Sequence, residues 1–348
     1  MTSSGGHASA TSADFMPRVV ALYRYPVKGF TPEPRESLTV LPEGRVAGDR
    51  VLAFRFADAP TGTPLPSGEG EGEGKGLRSA WIPKTNYAVL VNTPGLARTK
   101  LLFDEAARTL RIEFPDGRVV KAGLDPSAGS GRAGAGREKL AQAVAYYVIA
   151  QQESPLHGHP GKLPLQLVGN LEDQHFHDNA AGRVSLHSRA SLRALGEALY
   201  DPELDERRFR SNIVIDGAQE WEELGWVGKR VRIGPPENGI RASGSERGIS
   251  AAEQPLSAAK KPPLPPGEGW GEGRRTDRRG VEFEVVKTST RCLATHANPV
   301  TGERDCDVLN TLTRAFGQER PTFAVSMTPV SGGGEVRVGD EVRVLGRA

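Results

Sequence analysis

Short strand-like segments recur along the whole chain and set the limits on what it can fold into. Residues 19–25, 37–40, 51–56, 110–114, 119–121, 166–168, 213–215, 281–286, 323–328 and 341–345 are rich in β-branched, aromatic and leucine residues and are bounded by turn formers. Helical patterns cover only 138–149, 189–200 and 308–316. In the second of these, Ser188 stands where an N-cap belongs, and Leu192, Leu195 and Leu199 return at helical spacing on one face. Many strands and few helices predict an α+β, mainly β protein with barrel-like sheets.

Two stretches interrupt that pattern, 60–76 and 237–279. Within them Pro64-Leu-Pro-Ser-Gly-Glu-Gly-Glu-Gly-Glu-Gly-Lys75 matches Pro263-Leu-Pro-Pro-Gly-Glu-Gly-Trp-Gly-Glu-Gly-Arg274 at nine of twelve positions. A stacking repeat needs an apolar face, and these segments have almost nothing to bury. They are therefore expected to be disordered insertions at loop tips, where added length costs little closure entropy. The first would separate strands at 51–56 and 81–83, and the second would separate strands at 230–233 and 281–286.

Charge and cysteine content narrow the function classes. Lys and Arg total 45 against 43 Asp and Glu, so no bulk positive field points to nucleic acid or an anionic membrane. No apolar run is long enough to span a bilayer, and residues 1–16 read as a loose tail without the charged start and apolar centre of a secretory signal. Two cysteines, Cys292 and Cys306, are too few for a disulfide framework, which favours a reducing compartment and a cytoplasmic location.

Three constellations could carry chemistry. Tyr25-Pro-Val-Lys-Gly29 closes the first strand with a lysine in a turn, and Arg207-Arg-Phe-Arg-Ser-Asn212 feeds arginines into another strand. Thr288-Ser-Thr-Arg-Cys292 leaves a third strand through hydroxyl residues around a cysteine and then turns at Asn298-Pro-Val-Thr-Gly302. Lysine and arginine at strand ends suit a phosphate or other anion, and a loop thiolate is a soft metal ligand or a nucleophile. His175 and His177 share an i, i+2 spacing that could serve a metal, with no third ligand nearby.

Taken in order, Tyr25-Pro-Val-Lys-Gly29, Gly48-Asp-Arg50, Ser185-Leu-His-Ser-Arg-Ala-Ser-Leu192, Arg208-Phe-Arg-Ser-Asn212, Arg291-Cys-Leu-Ala-Thr295 with Asn298-Pro-Val-Thr-Gly302, and Val338-Gly-Asp-Glu-Val342 resemble the MOSC-domain family. The branch most similar includes the mitochondrial amidoxime-reducing component and its bacterial relatives. The resemblance implies an N-terminal MOSC β-barrel-like domain over 17–155, followed by a MOSC β-barrel domain with flanking helices over 156–348.

It also implies a molybdenum cofactor (molybdopterin) with Cys292 as its thiolate ligand and catalytic residue. Lys28, Gly29, Arg50, Arg210 and Asn212 fall on the family's cofactor-holding positions, Thr290 on its hydroxyl position, and Asp178, Asn179 and Ser188 near its polar contacts. Gly29 departs from the serine of eukaryotic members and leaves only a backbone N–H there. The implied reaction removes oxygen from a small N-hydroxylated substrate while molybdenum cycles between Mo(VI) and Mo(IV). With no ferredoxin-type cysteines, the chain would take electrons from a separate donor protein. The alternative is a carrier of sulfur, as a Cys292 persulfide, or of the cofactor itself, with no reductase activity.

Overall fold

The computed structural model describes residues 16–60, 82–125, 134–171, 174–178, 181–236 and 279–347. The strands are β1 (Arg18–Arg24), β2 (Glu33–Arg35), β3 (Ser37–Val40), β4 (Ala53–Arg55), β5 (Lys100–Asp104), β6 (Thr109–Glu113), β7 (Val119–Gly123), β8 (Gln166–Val168), β9 (Val184–Ser188) and β10 (Ile213–Asp216), then β11 (Lys229–Gly234), β12 (Val281–Thr290), β13 (Thr322–Pro329), β14 (Gly334–Arg337) and β15 (Glu341–Arg347). Three helices accompany them: α1 (Ala135–Ile149), α2 (Arg189–Ala198) and α3 (Val308–Arg314).

The main sheet runs β10-β9-β13-β12-β11-β15-β1-β2, and pairing of β10 with β1 closes seven of these strands into a barrel. Side chains alternate between the two faces of a strand, so β12 buries Val281, Phe283 and Val285 while Glu284 between them is exposed. Val19, Leu22, Val184, Leu186, Ile213, Ile215, Val231, Ile233, Val325, Met327 and Val342 complete the interior. Against one end pack α2 and α3, whose Leu192, Leu195, Val308 and Leu312 meet Phe209 and Phe323. Ser188 caps α2 by accepting from Ala190 N, as the sequence pattern predicts.

A second unit fills residues 51–168. It contains the antiparallel meander β5-β6-β7, the β4–β8 pair, and α1 laid over their apolar face through Leu140, Val144 and Val148. The chain does not divide at 155 as the sequence suggests. Strands β1 and β2 are sheet neighbours of the barrel, β3 pairs with β14, and Leu38, Val40 and Val46 share the barrel core, so residues 17–24 and 33–46 belong with those beyond 184, while Val27 and Phe30 in the turn between them pack into the core of the second unit. Strand patterning reports which face is apolar but not which partner lies beside it, and the partners here are up to about 320 residues apart.

The strand pair expected between 51–56 and 81–83 also resolves differently. β4 takes β8 as its ladder partner, and only an isolated bridge from Arg55 to Tyr87 lies on its other side. The second expected pair forms: Ile233 lies opposite Val281 and Val231 opposite Phe283. The tail and both Gly/Pro-rich stretches lie almost wholly outside the described residues.

One buried ion pair ties the two units together. Arg24, at the end of β1, donates to Glu33 on β2 through Nε and Nη2 at 2.9 and 2.7 Å, and Glu33 accepts the backbone N–H of Phe103 on β5. Both side chains are 5% exposed. Arg24 also pairs with the exposed Glu105 at 2.8 Å, so the test removes the arginine: Arg24→Ala strands the Glu33 carboxylate without water and should destabilise by about 3–5 kcal/mol in urea unfolding. A loss below about 1 kcal/mol would show that water reaches the site. Because Ile233 and Val281 are opposed and Gly234 packs on Gly280, the chain on either side of 237–279 is already close together. Excising that stretch with a short Gly-containing bridge should leave the thermal midpoint unchanged, and a cooperative loss of folding would show that it packs.

Candidate functional site

Where the barrel meets the second unit, Lys28, Gly29, Arg50, Lys84, Val89–Val91, Phe176, Asp178, Arg210, Cys292 and Ala294 line a cavity of about 50 Å³. Each arrives by a different local device. The end of β1 turns so that Tyr25 N–H donates to Asp49 and Lys28 N–H to Leu52 O. Gly29 is required in that turn: its φ is +78°, and any Cβ would fall 2.6 Å from Val89 Cα. The glycine is therefore where the backbones of the two units touch, and a serine would not fit.

Arg50 and Arg210 both adopt left-handed backbone conformations, with φ of 53° and 54°. Non-glycine residues held there cost on the order of 1 kcal/mol each, and such strain gathers at functional sites. The result is that both guanidinium carbons lie over Tyr25, 4.8 and 4.5 Å from its ring centroid. Arg50 bonds Asp49 and donates to Arg210 O at 3.1 Å, while Arg210 donates to Phe30 O. Burial, with Arg50 beside it, lowers Arg210 to about 10.

Register irregularities in β12 after Val285 and Thr288 mark bulges just before Arg291. Arg291 then bonds Pro321 O through its N–H, and its side chain donates to Phe323 O and Phe209 O. Its remaining nitrogen, Nη2, is buried with no hydrogen-bond partner among the described residues. Cys292 is extended and starts a short turn, its carbonyl accepting from both the N–H and the hydroxyl of Thr295 at 3.0 Å.

The charges are unequal. Lys28 donates to Asp178 at 2.6 Å and to Phe176 O at 2.8 Å, and burial lowers its ammonium against the pull of Asp178. Desolvation would raise the Asp178 carboxyl, but Lys28 and Lys84 outweigh it and hold it well below the ordinary carboxylate range. Lys84 Nζ lies 3.7 Å from Asp178. Desolvation would lower Lys84, yet attraction to Asp178 and to the Cys292 sulfur raises it. Four cations thus face one carboxylate and one thiol around the cavity. That donor set fits an oxygen-rich anion beside a soft metal.

Of the sequence-predicted residues, Lys28, Gly29, Arg50, Asp178, Arg210 and Cys292 come together here. Asn212 instead bonds Ser185 and Tyr23 O and ties β1 to β9, Ser188 is committed to its cap and to Glu223, and Thr290 sits opposite Thr322 in the ladder; none of the three lines the cavity. Asn179 lies outside the described residues. His175 and His177 bond each other at 3.2 Å, and His177 bonds Asp49 at 3.2 Å, so the pair braces the Asp49–Arg50 turn. Among the described residues no cluster of three or more His, Cys, Asp or Glu could hold a metal ion. Lys84 carries no sequence signal, because only the fold brings it to Cys292.

A protein-family model of the MOSC domain matches residues 173–247. That stretch, about a fifth of the chain, is similar to the MOSC domain. Domains of this class are associated with the molybdenum cofactor. The match includes Asp178 and Arg210, while Cys292 follows further along the chain. A crystal structure of the YuaD protein from Bacillus subtilis aligns with 94% of this chain and 95% of that one, at 9% identity and a TM-score of 0.34. Among curated proteins none matches the chain. Among the described residues no helix is long and apolar enough to cross a membrane.

The brace behind the cavity cations makes stability sensitive to acid. Burial lowers His177 to about 4, against an ordinary 6.5. The unfolded chain therefore takes up the proton first, and the stabilising contribution, complete above pH 6.5, is lost as pH falls towards 4. Between pH 7.5 and 5 this residue alone should cost about 2 kcal/mol of unfolding free energy. His177→Asn should flatten that part of the profile, and an unchanged slope would show that His177 is not buried neutral.

Proposed function

We propose that the protein binds a molybdenum cofactor and removes oxygen from N-hydroxylated substrates, with Cys292 as the thiolate that meets the metal. The supporting observation is the placement of a thiol just past β12 among cations from four separated segments, in a chain of which residues 173–247 are similar to the MOSC domain. Lys28, Arg50 and Arg210 would hold the pterin and its phosphate. Their commitment to protein carbonyls and carboxylates keeps them in place before any ligand arrives. An organic cofactor far exceeds about 50 Å³, so the cavity takes only part of it.

When bound, the cofactor supplies a two-electron redox couple next to the sulfur. The overall reaction cleaves the substrate N–O bond and releases the oxygen as water, consuming two electrons from a separate donor protein and two protons. The chain's own share is positional and electrostatic. Val89–Val91 and Ala294 form the apolar side of the cavity and limit water there. Lys84 and Asp178, 3.7 Å apart in the cavity lining, would supply a donor and an acceptor for a polar N–O group.

The test is made on protein produced in a cofactor-competent host. Arg210→Ala should lower pterin and molybdenum together, with an affinity loss of about 10- to 150-fold for one charged hydrogen bond. Cys292→Ser should keep appreciable pterin yet lose reduction of a test amidoxime by reduced viologen, with Cys306→Ser still active. A wild type that holds cofactor but is inert towards several N-hydroxylated substrates, and carries a labelled persulfide on Cys292, would make it a carrier instead. Unchanged pterin in both Arg210→Ala and Lys28→Ala would overturn the site.

A further inference from the structure

The Asn298-Pro-Val-Thr-Gly302 turn lies outside the cavity lining, yet its packing is informative. The strands on either side of this loop belong to the barrel, but the loop does not. Ala297 is 2% exposed and belongs to the apolar core of the second unit, against which Ala294 also packs. Gly302, with φ of +72°, approaches so closely that a Cβ would lie 2.9 Å from Gly95 Cα and 2.8 Å from Arg98 Cδ. Gly95 is itself fixed, because Tyr147 of α1 donates its hydroxyl to Gly95 O at 2.7 Å.

Arg304 completes the attachment. Its Nε donates to Glu153, just past α1, at 2.9 Å, and its Nη2 to Val91 O on the cavity wall at 2.9 Å. Its Nη1 donates to Leu293 O, the carbonyl directly after Cys292, at 3.0 Å. A bridge between Ala297 and Arg304 and a bond from Asn298 N–H to Glu303 O at 2.8 Å close the loop into a stiff hairpin. One guanidinium therefore spans the wall opposite the sulfur and the backbone that carries the sulfur. Its planar fork is what lets a single side chain hold two carbonyls and a carboxylate at once.

We infer that Arg304 and Gly302 are positioning residues that clamp the loop after Cys292 onto the second unit, so that this unit, and not the barrel alone, sets where the Cys292 sulfur sits. As a positioning role towards the metal it rests on the proposed function. The geometry of the thiol itself does not, which makes the two separable by experiment.

The measurement is the rate of maleimide labelling of Cys292 in cofactor-free, full-length protein carrying Cys306→Ser, near neutral pH and well below the thermal midpoint. Arg304→Gln removes the fork, and Gly302→Ala wedges the contact open without touching it. Both should speed labelling about fivefold or more, since local opening governs access to a half-buried thiol. Arg304→Lys, which keeps a charge for Glu153 but no fork, should recover only part of the wild-type protection. Arg193→Gln, which breaks a surface pair with Asp216, should change nothing. A purely structural role would lower the thermal midpoint and leave the native labelling rate alone.

In protein made with cofactor, the molybdenum-to-pterin ratio should also fall in Arg304→Gln while pterin stays near wild type. Should Arg304→Gln fail to fold, Glu153→Gln carries the same assay with the same expected direction. Labelling within about twofold of wild type in both Gly302→Ala and the Arg304 or Glu153 variant would overturn the clamp. A wild type lacking both metal and pterin would overturn the proposed function and leave the labelling result to judge the clamp.

Discussion

Closure of the barrel by β1 against β10 is the constraint from which the site follows. Antiparallel pairing of Val19 with Ile215 and Leu22 with Ile213 places the end of β1 beside the start of β10. The turn after β1 and the turn before β10 then sit at one rim, bringing Tyr25 and Lys28 to Arg210 although about 185 residues separate them in sequence. Two left-handed arginines over one tyrosine ring are affordable there because the barrel and the Asp49 brace hold the backbone on both sides.

The second unit acts on that rim from outside. Its contacts are polar at one end, through Arg24, Glu33 and Phe103 N–H, and close-packed at the other, through Gly29 on Val89 and Gly302 on Gly95. Two glycines at the points of closest approach let backbones touch where any side chain would push the units apart. Gly29 and Val89 also line the cavity, so that wall cannot shift without disturbing their contact.

Much of this was legible in the sequence wherever a local pattern carried it. The alternation in 281–286 and 323–328 gives β12 and β13, and Ser188 with the leucines after it gives α2. Partnership was legible only for 230–233 with 281–286. Residues 51–56 read correctly as a strand and were given the wrong neighbour, and β2, β5, β9 and β14 are too short or too polar to stand out. In the site, residues inside compact motifs (Lys28, Arg50, Arg210, Cys292) could be found, whereas Lys84 could not. Asn212 shares a motif with Arg210, and Ser188 stands in a motif of its own, yet the side chains of both serve the scaffold because a strand crossing and a helix cap claimed their hydrogen bonds first.

The order in which the barrel strands occur along the chain also bears on how the protein comes into being. The meander β5-β6-β7 and its helix involve neighbours in sequence and can form while the rest is still emerging from the ribosome. The barrel cannot. β1 must wait for β10, and β11 must wait for β15, so the rim is assembled only when the last strand is made. Until then the thiol of Cys292 and its ring of cations are parts of an open chain, and a ligand that needs both would have to arrive after β15 has been made.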